Sequence, residues 1–120
     1  MDICAAMTAT KHARKQVVTA SVDRLDFLAP AKVGDILILR SSVNFCGNTS
    51  IEVGVRIESE NRLTGEVTHT ASAYLTFVAL NDEGISVIIP KVIPETENEI
   101  RRFNEGKERY FYRKKRIKKT

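Results

Sequence analysis

Hydrophobic and polar residues alternate with a period of two along much of this chain. The clearest stretch is 51–58, where Ile and Val are separated by Glu, Gly and Arg, as in a strand with one buried and one solvated face. Val67 to Leu80 and Val17 to Pro30 show the same period, and Ile36 to Phe45 forms a fourth apolar stretch. The pattern predicts four long strands, with residues 46–50 as the turn of a hairpin.

Before the first strand, the period is helical. Residues 1–15 contain neither Gly nor Pro and end in a cluster of Lys, His and Arg, which suits the negative end of a helix dipole. Asp2 and four alanines share one face, whereas Ile3, Met7 and Thr10 lie on the opposite side. A helix that is apolar nearly all round is usually buried, so we expect this one to lie inside the domain.

A short fifth strand is predicted at residues 85–89, and Pro90 and Pro94 then end the sheet. Four long strands and one short strand after a buried helix predict an antiparallel sheet wrapped round that helix, which is an α+β architecture. We divide the chain into a domain at residues 1–94 and a basic helical tail at residues 95–120.

In the tail, Thr96 and Glu99 have the spacing of a capping box, and Gly106 is the expected point of interruption. A broken apolar stripe is predicted at Ile100, Phe103, Tyr110 and Ile117. Residues 107–119 hold eight Lys or Arg and one Glu, a local +7 within a total of +4, so the rest of the chain carries −3. The aromatic residues 110–112 could stack on nucleic-acid bases, but a solvated or docked helix face is the favoured interpretation and nucleic-acid binding is not expected.

Length and composition indicate what kind of protein this is. A chain of 120 residues with 42% hydrophobic residues fits one globular domain. It shows no signal peptide and no apolar run long enough for a membrane, so we expect a cytoplasmic protein with Cys4 and Cys46 reduced. Two cysteines with the distant His12 and His69 are too few for a metal site, and we predict no metal.

Five sequence blocks stand out along the chain. They are Val17 to Pro30, Val33-Gly34-Asp35, Gly47-Asn48-Thr49-Ser50, Thr64-Gly65-Glu66 and Thr70 to Leu80. Taken together and in this order, they resemble the cytosolic acyl-CoA thioesterases of the hot-dog fold, the acyl-CoA hydrolase branch. The resemblance runs over residues 1–99, and it begins inside the domain, because family members carry a first strand and a Gly-rich loop before the counterpart of Asp2. It implies hydrolysis of acyl-CoA to a free fatty acid and coenzyme A without a further cofactor, by a homodimer that assembles into a hexamer.

The resemblance assigns catalysis to two side chains. Asp2 matches the carboxylate that would activate water or attack the thioester, and Thr19 matches a hydroxyl that would orient the water or donate a hydrogen bond. The alternative interpretations are an ordinary acidic residue at a helix N-terminus and a β-branched residue filling a strand position.

The resemblance also implies a coenzyme A site. Its hairpin loop comprises Gly47, Asn48, Thr49 and Ser50. Phe27 and Pro30 match a segment that lines the pantetheine route, although a core aromatic and a strand stop would look the same. The family usually has Arg where Asn48 stands, and that bidentate phosphate contact is lost unless Lys32, Arg24 or a tail residue replaces it.

Two other functions are compatible with this fold. Without the upstream strand and loop, the chain could bind acyl-CoA or a partner without turnover. A hot-dog dehydratase or hydratase would need a His with an acidic partner, and neither histidine lies in such a motif. We expect His12 to be a solvated residue at the helix C-terminus and His69 a satisfied structural imidazole near the core.

Overall fold

The structure, a computed structural model, describes residues 2–119 and, within them, the side chains of residues 2–114. Its four strands form one antiparallel sheet in the order β1-β4-β3-β2, with one helix packed on each face. The elements are α1 (Asp2–Ala13), β1 (Gln16–Phe27), β2 (Ile36–Cys46), β3 (Ser50–Glu60), β4 (Val67–Leu80) and α2 (Glu97–Lys119). All four predicted long strands are present, and the α+β hot-dog architecture predicted from the sequence is confirmed.

The predicted fifth strand is wrong. Only one bridge, between Leu80 and Ser86, joins this segment to the sheet. The Asn81 side chain accepts hydrogen bonds from the N–H groups of Glu83 and Ile85 at 2.9 and 3.0 Å, which closes a tight turn. The N–H of Val87 still donates to the carbonyl of Ala79 in β4 at 3.0 Å, but the chain then leaves β4, and the N–H of Ile89 donates to the carbonyl of Asn48 at 3.0 Å.

Helix α1 is buried on one side only, contrary to the prediction that it lies wholly inside the domain. Its alanines at positions 5, 9 and 13 pack on the apolar face of β3 and β4, because their small side chains allow close approach to the sheet. Ile3 and Met7 point away from the sheet and are 77% and 68% exposed. Four strands therefore cover one side of the helix and leave the other open in the single chain.

Two bulges in β1 change which of its residues share a face. The register of β1 against β4 shifts after Thr19 and after Val22, which leaves Ala20 and Asp23 as extra residues. As a result Val22 pairs with Leu75 and lies on the α1 side of the sheet, the same side as Thr19. Simple alternation predicts that Val22 and Thr19 lie on different sides. Four of the five β4 residues that pair with the α1-facing side of β1 belong to the core. The α1-facing residues of β1 are Val17, Thr19, Val22, Leu25 and Phe27.

The polar face of β3 is covered, although its alternation predicts a solvated face. Helix α2 lies over it, and the Glu52 side chain is only 3% exposed. Nε and Nη2 of Arg109 donate to its two carboxylate oxygens at 2.9 and 2.7 Å. A residue 57 positions away in sequence thus satisfies a carboxylate that would otherwise be costly to bury.

Helix α2 begins at the predicted capping box. The N–H of Glu99 donates to Thr96 Oγ1, and the Glu99 carboxylate accepts from the N–H groups of Thr96 and Glu95; these backbone hydrogen bonds lower the pKa of Glu99. Gly106 does not interrupt the helix. A Cβ at Gly106 would lie 3.0 Å from Cβ of Phe45, so the glycine allows α2 to approach the sheet.

Two residues of the predicted stripe on α2, Phe103 and Tyr110, pack against Phe45. Ile100 is largely exposed, and Ile117 lies outside the described side chains. Within residues 2–119, no helix is long and apolar enough to cross a membrane.

Candidate active site

The two side chains predicted to be catalytic lie next to each other. Asp2 is the first residue of α1, and Thr19 faces α1 from β1, opposite Phe77. The hydroxyl of Thr19 donates a hydrogen bond to Oδ1 of Asp2 at 3.1 Å. This contact joins residues 17 positions apart, and it exists because β1 runs back along the helix that precedes it.

Asp2 opens onto a groove of about 910 Å³ along the exposed side of α1. Its apolar lining comes from Ile3, Ala6 and Met7 of the helix and from Leu80 at the end of β4. The other end of the groove is basic, with Lys11, Arg14 and Lys15. A carboxylate at one end of an apolar groove is a suitable arrangement for a reactive group attached to an acyl chain.

The loop at residues 47–50 lies at the same end of the sheet as Thr19, because Ser50 pairs with Val78 and Thr19 with Phe77. Two backbone hydrogen bonds hold this loop against the end of β4 and the segment that follows it. The N–H groups of Ala79 and Ile89 donate to carbonyls of the loop at 3.1 and 3.0 Å. Gly47 is buried, whereas Asn48 is exposed.

A cation that the sequence did not predict lies beside the loop. Nζ of Lys91 donates to Oδ1 of Asn48 at 3.3 Å. The replacements considered from the sequence are placed elsewhere: Lys32 follows the far end of β1, and Nε of Arg24 donates to Asp26 at 2.7 Å. The sequence around Lys91 does not predict this position, because the loop and Lys91 are brought together by the turn that follows β4.

Phe27 and Pro30 do not meet the loop within one chain. Phe27 pairs with Ala71, six residues along β4 from the partner of Thr19, which corresponds to roughly 20 Å of strand. The Phe27 side chain is 79% exposed. The residues predicted to line the coenzyme route are therefore split between the two ends of the sheet.

The histidines lie apart from Asp2 and Thr19. His12 is not simply solvated as predicted, because its Nε2 donates to the carbonyl of Pro90 at 2.9 Å and lies 3.6 Å from Sγ of Cys46. Nε2 of His69 lies 2.8 Å from Oγ of Ser72, a contact that suits a structural imidazole. Burial raises the pKa of Cys46 to about 12, against the smaller lowering effect of the Lys91 charge, so this thiol is a poor nucleophile.

A buried polar cluster behind the loop was not predicted. Glu52 accepts from Arg109 and also from Nδ2 of Asn44 at 3.1 Å, and the Arg109 guanidinium lies 3.8 Å from the ring centre of Tyr74. Burial lowers the pKa of Arg109, but its hydrogen bonds to Glu52 and the charge of that residue outweigh this effect and raise it overall. Across the described part of the chain, no three His, Cys, Asp or Glu side chains are grouped to hold a metal ion.

The chain is similar to known thioesterases in both sequence and fold. The thioesterase superfamily model matches residues 1–66. An uncharacterized acyl-CoA thioester hydrolase of Bacillus subtilis, YkhA, is 42% identical over 116 residues, which are 97% of this chain and 67% of that protein.

Two solved structures are similar over nearly the whole chain. An apo-hexameric acyl-CoA thioesterase superposes with a TM-score of 0.91 at 47% identity, covering 97% of this chain and 74% of that one. An acyl-CoA hydrolase from Staphylococcus aureus, in complex with butyryl coenzyme A and coenzyme A, gives 0.90 at 43% identity, covering 98% and 72%. Variants of the S. aureus enzyme have been solved in which a threonine or an aspartate is replaced by alanine.

The fold and these matches define the class: the chain belongs to the thioesterase superfamily and has its hot-dog fold. Within that class it belongs with the acyl-CoA thioester hydrolases, as the sequence predicted.

Proposed function

We infer that this chain hydrolyses acyl-CoA thioesters through Asp2 and Thr19. The hydrogen bond between these two side chains at the mouth of an apolar groove carries the inference. The variants of the S. aureus relative support it, because the aspartate and the threonine replaced there are also separated by 17 positions.

The reaction needs a base or a nucleophile, together with hydrogen-bond donors for the oxyanion that develops on the thioester oxygen. Asp2 either takes a proton from water as its oxygen adds to the thioester carbonyl, or attacks that carbon itself to form an anhydride that water then cleaves. The C–S bond breaks, the sulfur leaves as the thiolate of coenzyme A and takes up a proton, and the acyl group leaves as a fatty acid. Thr19 fixes the carboxylate by donating to Oδ1, so that Oδ2 is free to act.

The groove along α1 takes the acyl chain. Ile3, Ala6, Met7 and Leu80 offer it an apolar wall that begins beside Asp2. Burial of each methylene group there contributes about 0.8 kcal/mol, which favours longer acyl chains over the acetyl group.

Coenzyme A binds at the loop formed by Gly47, Asn48, Thr49 and Ser50. Glycine permits close backbone approach, and the amide and hydroxyl groups are donors for phosphate oxygens. Lys91 supplies a positive charge next to Asn48, where the family usually has Arg. A single ammonium gives a weaker and less directional contact than a bidentate guanidinium.

The active form is a dimer joined at β1, with dimers assembled into a hexamer. In a single chain β1 has one free edge, and its Val22 is 55% exposed on the same side as the exposed Ile3 and Met7. Antiparallel pairing of two β1 strands covers both edges. It also brings Phe27 and Pro30 of the second copy alongside Thr19 of the first, which completes the pantetheine route.

We assign residues 1–94 to the thioesterase domain and residues 95–120 to a helical tail, whose described side chains, up to residue 114, include several that pack on the domain. A cytoplasmic location is supported by Cys4 and Cys46, which are free thiols in the structure.

The reaction class is tested with a panel of acyl-CoA esters, with free thiol detected on cleavage, and with crotonyl-CoA, followed by its loss of enoyl absorbance. We expect thiol release from the panel and no hydration of crotonyl-CoA. Hydration without thiol release would instead identify a hydratase, and binding of coenzyme A without either reaction would identify a binding protein.

A further inference from the structure

The ring of Tyr110 in α2 lies directly on the backbone of Gly47, the first residue of the loop at 47–50. A Cβ placed on Gly47 would be 2.6 Å from Cε2 and 2.9 Å from Cζ of this ring. Real Cβ atoms do not approach carbon that closely, so only glycine fits under the ring. The loop therefore has a wall on the side of α2 formed by one aromatic side chain.

The two strands that flank the loop are held by the same part of α2. On the β2 side, Phe45 contacts Tyr110 and Phe103, with ring centres 5.3 and 5.2 Å away. On the β3 side, Glu52 is held by Arg109, the residue next to Tyr110. Residues just before and just after the loop are thus tied to one helix by an aromatic cluster and a buried ion pair.

The opposite side of the loop is held by the end of β4 and by the chain that follows it. The carbonyl of Thr49 accepts from the N–H of Ala79, and the carbonyl of Asn48 accepts from the N–H of Ile89. The loop is also closed on itself, because the N–H of Gly47 donates to the carbonyl of Ser50 at 2.9 Å, so the Tyr110 ring is the contact that covers its remaining side. Removal of the Tyr110 ring would uncover the loop on the side of α2. Gly47 would then be free to adopt backbone conformations that few other residues can adopt.

We propose that Tyr110 is a positioning residue for coenzyme A binding: its ring holds the loop at 47–50 in the conformation that receives the coenzyme. This proposal rests on the function inferred above. The ring contacts neither Asp2 nor Thr19, so its role is in binding and not in bond cleavage. A preorganised loop binds more tightly because no conformational entropy is lost on binding.

The first test measures kcat and KM for one acyl-CoA ester and, by calorimetry, Kd for coenzyme A. Tyr110→Ala is expected to raise KM and Kd roughly tenfold, with kcat within about twofold. Tyr110→Phe, which keeps the ring, is expected to restore wild-type values. The matched control is Tyr112→Ala, since Tyr112 is an exposed aromatic residue two positions away.

A double-mutant cycle tests the contact itself. Gly47→Ala is expected to raise Kd for coenzyme A in the wild-type background, because its Cβ displaces the ring. In the Tyr110→Ala background only Oγ of Ser50, 2.8 Å from that Cβ, still lies in its way, and because this hydroxyl can rotate aside the same substitution is expected to add less. An equal effect of Gly47→Ala in both backgrounds would overturn the proposal, since the added methyl would then act on Ser50 or on the ligand and not through the ring.

The outcomes separate this proposal from the inferred function. If the wild-type chain releases no thiol from any acyl-CoA ester, the function fails. If it does and Tyr110→Ala leaves KM and Kd unchanged, or lowers kcat alone, the positioning role fails while the function stands. Should Tyr110→Ala not fold, Tyr110→Leu, which keeps apolar bulk but not the flat ring, serves in its place, with the same increase in Kd expected and an unchanged Kd contradicting the proposal.

Discussion

At the scale of single residues, the proposed hydrolysis depends on a carboxylate and a hydroxyl that share a hydrogen bond. Thr19 has no base beside it other than Asp2, among the contacts the structure describes, and its hydroxyl donates a hydrogen bond to that carboxylate. Because we propose Asp2 as the reacting group, no second base is present to activate the hydroxyl as a nucleophile. We therefore propose that Thr19 is a supporting residue that orients Asp2.

Thr19→Ala should therefore lower kcat by about tenfold, through loss of one positioning hydrogen bond. Thr19→Ser keeps the hydroxyl and should retain most of the activity. Thr68→Ala, an exposed threonine on β4, is the matched control and should behave like wild type. Steady-state kinetics on one acyl-CoA ester measure kcat for each variant. If Thr19→Ser lost as much activity as Thr19→Ala, loss of the hydroxyl would not explain the lower kcat.

The two cysteines should differ in reactivity. Because burial raises the pKa of Cys46 to about 12 from 9.0, this thiol stays protonated in the folded chain where an unfolded chain would ionise it. Its contribution to stability is complete below about pH 9 and is lost as the pH rises from there towards 12. In a Cys4→Ser variant, we expect a thiol reagent at about pH 8 to modify Cys46 only after denaturation, and rapid reaction of the native protein would contradict the burial.

The sequence predicted Asp2 and Thr19 as a catalytic pair, and the structure places them in contact, whereas the positions of Lys91 and Tyr110 beside the loop were not predicted. Asp2 and Thr19 lie in blocks whose residue types and order carry chemistry. Lys91 is one lysine between two prolines, and Tyr110 belongs to a basic run that favours a solvated helix face. Their positions depend on contacts between distant segments, which have no local pattern.

At the scale of elements, α2 is held to the sheet by ion pairs that cross long sequence separations. Glu52 with Arg109 is the more buried pair, and Arg113 with Asp23 is the second, at 3.2 Å. The Arg113 guanidinium also donates to Thr76 Oγ1 at 2.9 Å. A helix anchored in this way is part of the domain's packing, although its composition is that of a solvated tail.

Arg109→Met should lower the free energy of unfolding by about 3 kcal/mol, because it leaves the Glu52 carboxylate buried without its partner. Arg101→Met is the control: Arg101 pairs with Glu105 at 3.7 Å on the exposed side of the same helix, and its loss should cost about 0.5 kcal/mol or less. Urea denaturation followed by circular dichroism measures both. Equal effects of the two substitutions would contradict the structural role of the buried pair.

The strands were predictable because a period of two needs only local sequence, and β4 has the bounds that the pattern gave. Which face of a strand is covered was not predictable from the same pattern. The polar face of β3 looks solvated until Arg109 is placed over Glu52. The bulges of β1 leave no mark in a sequence that alternates only loosely, and they decide that Val22 joins the α1 side.

At the scale of the whole molecule, one chain presents an incomplete site. The apolar side of α1 is open, β1 has a free edge, and Phe27 lies at the end of the sheet away from Asp2. The proposed pairing of a second copy at β1 would resolve all three features. The sequence predicted a buried α1, and that prediction would hold in such an assembly although it fails for the single chain.

Val22→Lys should weaken the dimer, because it places a charge on the α1-facing side of β1 next to the free edge. We expect a smaller particle in light scattering after size exclusion, with acyl-CoA hydrolysis reduced in parallel. Val33→Lys changes a fully exposed valine outside the strands and should alter neither. An unchanged particle size in Val22→Lys would place the dimer interface elsewhere.

The measurement that tests the central claim most directly is kcat/KM for an acyl-CoA ester in Asp2→Asn, beside Asp82→Asn as control. Asp82 lines the same groove as Asp2 and has no role in the mechanism. If Asp2 is the base or the nucleophile, Asp2→Asn loses a factor of about 10² to 10⁴ and Asp82→Asn retains full activity. Full activity in Asp2→Asn would show that the thioester is cleaved by a different group.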